Sequence, residues 1–267
     1  MVNYNPITAS PPLEVPLKNS PLIRVIAQVN FPAIVSIEKS EYIGAFQEAI
    51  REKYPVLHPE QTQGVTFGIQ GIIPIPPQVT WRFMDTPDNW TWRVSLAPNF
   101  VALEAKAYLS RSDFLQRLEN ILVALNENFA PKFIERFGLR YIDRVISPEL
   151  RDIASLVKPE IAGMMSASFK EAIHQTINEC IFTIPTRDEQ IAARWGLMQP
   201  GVTFDSSAID RIDEECWILD LDMSLAKNRG FSVENLMSEG KFFAERLYTF
   251  FRWAVNDDFL QRFGGEL

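Results

Sequence analysis

Apolar residues recur along this chain in two rhythms. LIRVIAQVNF (22–31) is the first strand-like run, and Pro32 stops it. In SEYIGAFQEAIREKYP (40–55), Ile43, Phe46, Ile50 and Tyr54 fall at helical spacing, which predicts a helix closed by Pro55. VTFGIQGII (65–73) reads as a strand and PIPPQ after it as a stiff loop. TWRFMD (80–85), WTWRVSL (90–96) and FVALEAKAYL (100–109) alternate with period two. APN joins the last two as a hairpin centred on Pro98-Asn99, which sets Glu104 opposite about Arg93. Trp92, Val94 and Leu96 then share one face, and Arg93 and Ser95 the other. A second helix is predicted from near Ser112, with Phe114, Leu115, Leu118, Ile121, Leu122, Leu125 and Phe129 as its apolar stripe. RFGLRYIDRV (136–145) predicts a strand, because Phe137, Leu139 and Tyr141 alternate and Gly138 would cost a helix about 1 kcal/mol.

The pattern then returns in weaker form. SPELRDIASLV is a short helical stretch. HQTINECIFTI (174–184), IAARWGLM (191–198) and CWILDLDMSLA (216–226) read as strands. A long helix from about Ser232 buries Leu236, Phe243, Leu247, Phe250 and Ala254. Strands followed by an amphipathic helix therefore occur twice, over 80–130 and 191–256. The expectation is an α+β fold: an antiparallel or mixed sheet with helices packed on one face and an internal pseudo-duplication of a strands-then-helix unit. Residues 1–20 form a flexible proline-rich arm. Residues 21–147 and 148–267 are its N- and C-terminal α+β halves, packed as one compact unit.

Composition narrows the class. The chain has 267 residues, 46% of them hydrophobic and 22% charged, an ordinary globular balance. A formal net charge of −8 disfavours non-specific binding to nucleic acid or to an anionic membrane, although a local basic stripe is still allowed. No run reaches the ~18 apolar residues needed to span a bilayer. The N-terminal text lacks a basic region followed by an apolar run, so no secretory signal is expected. Cys180 and Cys216 stand alone in apolar text and make no C-x-x-C pair. They read as reduced core thiols in a cytoplasmic protein.

The chemistry is sparse. Arg136, Arg140 and Arg144 recur every four positions along one predicted strand, roughly 13 Å apart at ~3.3 Å per residue. Two readings stay open. The row is a groove for an extended anionic partner such as single-stranded nucleic acid, or it is a sheet face paired with acids such as Asp220 and Asp222. His58, in a loop, and His174, heading a strand, have no zinc-ligand spacing. Neither P-loop, G-x-G-x-x-G nor G-x-S-x-G text occurs, so no cofactor and no metal site are expected. One catalytic alternative survives. Pro87-Asp88 followed by Glu104-Ala105-Lys106 matches a PD…ExK arrangement. There Asp88 and Glu104 would hold Mg²⁺ and Lys106 would orient the nucleophile of a nuclease. Trp81, Trp90 and Trp92 cluster at one hairpin, either as a stacking platform or as core. Trp90 and Trp92 share parity and should face the same way as Val94. FFAERLYTFFRW (242–253) reads as a core helix, or as a dimer interface if part of its stripe is exposed.

Five blocks carry a family resemblance: SPLIRVIAQVNFP (20–32), FQEAIREKYP (46–55), WRFMD (81–85), FVALEAKAYLSRSDFLQRL (100–118) and RFGLRYIDRV (136–145). In this order they resemble a sporadically distributed family of uncharacterised prokaryotic proteins of about this length. The match covers most of the first 150 residues; in the second half only the closing FLQRF text fits. The resemblance implies a soluble bacterial accessory protein of a defence, toxin–antitoxin or regulatory system, and it carries no catalytic residues. With no strong catalytic constellation, the expectation is a non-enzymatic binding module with a protein partner or a second copy of itself. The Mg²⁺-dependent nuclease and the single-strand nucleic-acid binder are the alternatives.

Overall fold

A computed structural model describes residues 5–68, 71–185 and 187–266. The fold is α+β. Nine strands form one sheet: β1 (Leu22–Asn30), β2 (Val56–Gly68), β3 (Gly71–Met84), β4 (Trp92–Ala97), β5 (Phe100–Ala105), β6 (Phe133–Val145), β7 (Asn178–Thr183), β8 (Gln190–Met198) and β9 (Cys216–Gly230). The helices are α1 (Ser40–Ile50), α2 (Arg111–Phe129), the single turns α3 (Ile153–Leu156) and α4 (Pro159–Ala162), α5 (Val233–Ala254) and α6 (Asp257–Arg262). The strand order is β2-β3-β4-β5-β1-β6-β9-β8-β7. The ladders β2–β3, β3–β4, β4–β5, β7–β8 and β8–β9 are antiparallel. Among the described residues no helix is long and apolar enough to cross a membrane.

The chain divides into two compact units. One comprises residues 26–138 and 226–240; the other comprises 1–25, 139–225 and 241–267. In the first unit, α1 and α2 cover the sheet face that carries Phe83 and Trp92. Phe46 of α1 meets Phe83 edge-on at 5.5 Å, and Phe114 of α2 lies 5.9 Å from the Trp92 ring. Ser110 caps α2 by accepting a hydrogen bond from the Asp113 amide, which satisfies one of the helix's free N–H groups. Phe114, Leu118, Ile121, Leu122 and Leu125 of its predicted stripe are buried.

The hairpin turns where the sequence places it: Ala97 pairs with Phe100, and Glu104 stands opposite Arg93. The expected single strand over 65–73 does not form. Its ends belong to β2 and β3, which pair from Val56–Met84 out to Gly68–Gly71, and residues 69–70 lie outside the described set. The expected PIPPQ loop falls inside β3. β4 pairs with β3 over Trp81–Met84, and among the described residues the proline-rich stretch pairs with β2 alone. Prolines are tolerated in a strand where the second side needs no donor.

In the other unit, α5 packs on β7 through Phe250 and Phe182, whose rings are 5.4 Å apart. Phe243, Leu247, Phe250 and Ala254 are buried, as the spacing predicts. The described part of the N-terminal arm, residues 5–20, has no strand or helix. It is nonetheless tied down. Arg246 donates to the carbonyls of Pro6 and Ala9, the Val15 amide donates to Tyr248 Oη, and the Asn19 amide donates to the Phe263 carbonyl.

Candidate functional site

The arginine row lies on β6. Arg140 is not open to solvent-borne anions. Its Nε and Nη2 donate to the two oxygens of Asp220 at 2.6 and 2.8 Å, and its Nη1 donates to Asp205 at 2.7 Å. Asp220 sits on β9, where Arg194 is its β8 partner, and Arg194 Nε approaches it to 3.3 Å. The Asp220 side chain is fully buried, and burying a carboxylate is costly unless cations are placed this closely. Burial opposes the Arg140 charge, but pairing with Asp220 and then Asp205 pushes its pKa up. Burial likewise opposes the Asp205 carboxylate, yet hydrogen bonds from Ser207 and Arg140 hold its pKa down at about 2.

The same arginines fasten the segment between β8 and β9. Arg24 of β1, only 4% exposed, donates to both Asp210 oxygens and to the Ser207 carbonyl. Arg144 donates to the Asp210 carbonyl. Of the two readings the sequence leaves open, the acid-paired face describes Arg140 and its partner Asp220. Arg136 lies against Gly138, where an added Cβ would come within 2.5 Å of its guanidinium.

Beside this cluster is an odd carboxyl. Asp143 is 6% exposed. Burial, and after it the charge of Asp220, push its pKa up to about 7. In the sequence it continues the alternating phase of Phe137, Leu139 and Tyr141, opposite in parity to the arginines.

The nuclease trio is distributed over separate contacts. Asp88 is exposed in the turn between β3 and β4. Glu104 is 5% exposed, and both its oxygens accept from Arg93, at 2.9 and 2.8 Å. Lys106 lies 4.5 Å from the Trp90 ring centroid, and the Arg93 guanidinium lies 4.2 Å from the same ring. Among the described residues no group of three or more His, Cys, Asp or Glu side chains is placed to hold a metal ion.

Trp90 corrects the parity expectation. It precedes β4, is half-buried, and meets cations instead of the core occupied by Trp92 and Val94. The alternation rule applies only inside a strand, and Asp85 closes the preceding turn by accepting from the Thr91 amide at 3.0 Å. Trp81 is core, and its Nε1 donates to the Ile37 carbonyl at 2.7 Å.

Both cysteines are free thiols, but only Cys216 is buried; Cys180 is exposed on β7. The exposure follows from position. β7 ends the sheet order with β8 as its one strand neighbour. Five of its six residues are exposed, and Ile181 is 65% exposed. His58 lies in β2, not in a loop, and His174 precedes β7 by four residues; both are exposed. No known protein-family model matches the chain, and no curated protein matches it.

Proposed function

We propose that this chain is a non-enzymatic protein-interaction module, an accessory component of the defence or regulatory kind that its sequence resemblance implies, and that it binds a second copy of itself through β7. The observation that carries this reading is the exposed β7 edge. Natural edge strands are blunted by lysine, proline or inward charge. Asn178–Thr183 contains neither proline nor a basic residue, and its one charge, Glu179, lies 3.6 Å from Arg194 of the neighbouring strand.

The text of β7 is complementary to itself. Antiparallel pairing about a two-fold axis at Ile181 sets Ile181 against Ile181, Cys180 against Phe182 and Glu179 against Thr183. No like charges meet. Sliding the axis to Cys180 instead sets Glu179 against Ile181 and Asn178 against Phe182, which buries a carboxylate against an aliphatic side chain. A six-residue edge is small beside the ~1,600 Å² of a standard interface, so affinity in the micromolar range is expected.

Sedimentation equilibrium tests this. The expected species at high concentration has twice the 30.6 kDa chain mass. Ile181→Lys places like charges on the axis, and at an exposed position it leaves the fold intact, so it should return the protein to monomer. A wild-type protein that stays monomeric, or a dimer that Ile181→Lys leaves unchanged, refutes the reading.

A further inference from the structure

We propose that the cleft between α1 and α2 binds a small organic carboxylate, with Tyr54 and Arg117 as its polar contacts. The cleft has a volume of about 280 Å³ and is lined by Ile50, Tyr54, Arg117, Ile121 and Ala124 among others. That is the lower end of the size range for ligand pockets, which sets the ligand at a few carbons to a single ring.

A buried hydroxyl with no acceptor, set beside an arginine, distinguishes this cleft from a packing defect. Tyr54 is 2% exposed, and its hydroxyl has no hydrogen-bond partner. Buried polar groups are paired in the large majority of cases, so an orphan hydroxyl lining a cleft calls for a missing acceptor. Arg117 neighbours this hydroxyl and interacts with it. Its Nε donates to both Asp113 oxygens, at 3.2 and 3.1 Å, and its guanidinium carbon stacks 4.2 Å from the Trp92 ring centroid. Asp113 and Trp92 therefore fix the plane of the guanidinium beside the Tyr54 hydroxyl. A fixed guanidinium edge beside a phenol hydroxyl matches the two oxygens of a carboxylate.

The walls select the body of the ligand. Ile50, Ile121 and Ala124 are buried apolar side chains, which suit an alkyl chain or a phenyl ring. Exposed Glu52 and Glu127 also line the cleft, with exposed Lys53 offsetting one of them, so together with Arg117 the lining carries no excess positive charge to hold a dianion. A monocarboxylate with an apolar body fits this combination; inorganic phosphate does not.

Titration of the full-length protein with sodium benzoate, followed by NMR of the Trp92 indole N–H, tests the assignment. Saturable shifts are expected, with inorganic phosphate producing none. Tyr54→Phe should weaken benzoate binding about tenfold, as loss of one hydrogen bond to a charged group does. It should move the urea midpoint little, because the buried hydroxyl has no acceptor in the free protein and its removal costs no donated hydrogen bond. Arg117→Lys, which loses the planar edge, should weaken binding as well and serves if Tyr54→Phe does not fold. No saturable shift, equal affinity in both variants and wild type, or phosphate binding as tight as benzoate overturns the proposal.

Discussion

Asp143 offers a test in which the sign and the size both follow from the structure. Its carboxyl is buried next to Asp220, and its pKa is pushed up to about 7. An unfolded aspartate releases its proton near ~3.9. Between about pH 4 and about pH 7 the folded chain therefore holds a proton that the unfolded chain has released. The unfolded state binds fewer protons, so stability falls as pH rises through this window and levels off above it. Three pH units at ~1.4 kcal/mol each give about 4 kcal/mol across the window, of which about 3 kcal/mol lies between pH 5 and pH 8. Asp143→Asn removes the titration while keeping the shape. Urea unfolding should show the wild type losing about 3 kcal/mol from about pH 5 to about pH 8, and the variant losing little. Carboxylates whose pKa is lowered, such as Asp205 and Glu189, act below the pH 5 to pH 8 range of the measurement and with the opposite sign. The two exposed histidines are common to both proteins and cancel in the difference. Equal pH slopes in wild type and variant would falsify the account.

Three further outcomes are expected. Arg140→Ala leaves Asp220 buried without its bidentate partner and should cost about 3–5 kcal/mol by urea denaturation. Gly196→Ala should destabilise by at least about 2–3 kcal/mol, because an added Cβ would lie 1.9 Å from the Thr176 carbonyl oxygen; a cost near zero would mean that segment moves aside freely. A thiol reagent should label one cysteine in the native protein, Cys180, and two after denaturation, since Cys216 is 3% exposed and burial pushes its thiol pKa up.

The helices and the central hairpin were legible because their signals are local. The stripes of α2 and α5 are repeated every three or four residues, and Pro98-Asn99 marks the turn that brings Arg93 to Glu104. The edges were less so. Proline text at 74–78 reads as a loop unless it is known that a strand lacks a neighbour on one side. Cys180 reads as core because its sequence is apolar, and only the strand order shows that β7 is last. Trp90 has the parity of Trp92 but stands outside the strand. Of the carboxylates that complete the arginine cluster, Asp220 was visible by alternation. Asp205 and Asp210 lie in irregular backbone that carries no period. Tyr54 fits the apolar stripe of α1, and its hydroxyl becomes a question only once its surroundings are seen to lack a partner.

The pairing of Arg24 with Asp210 has a consequence for the order of synthesis. The two residues are 186 positions apart, and Arg24 is almost wholly buried in the finished fold. During translation β1 leaves the ribosome long before its counter-charge exists. Burying that guanidinium unpaired would cost several kcal/mol, so its unit cannot close until the segment carrying Asp205 and Asp210 has emerged. A nascent chain stalled after Pro200 should therefore keep β1 open to protease, whereas one stalled beyond the last helix should protect it. The electrostatic latch makes arrival of the segment carrying Asp205 and Asp210, and not the first appearance of β1, the event that lets this unit close.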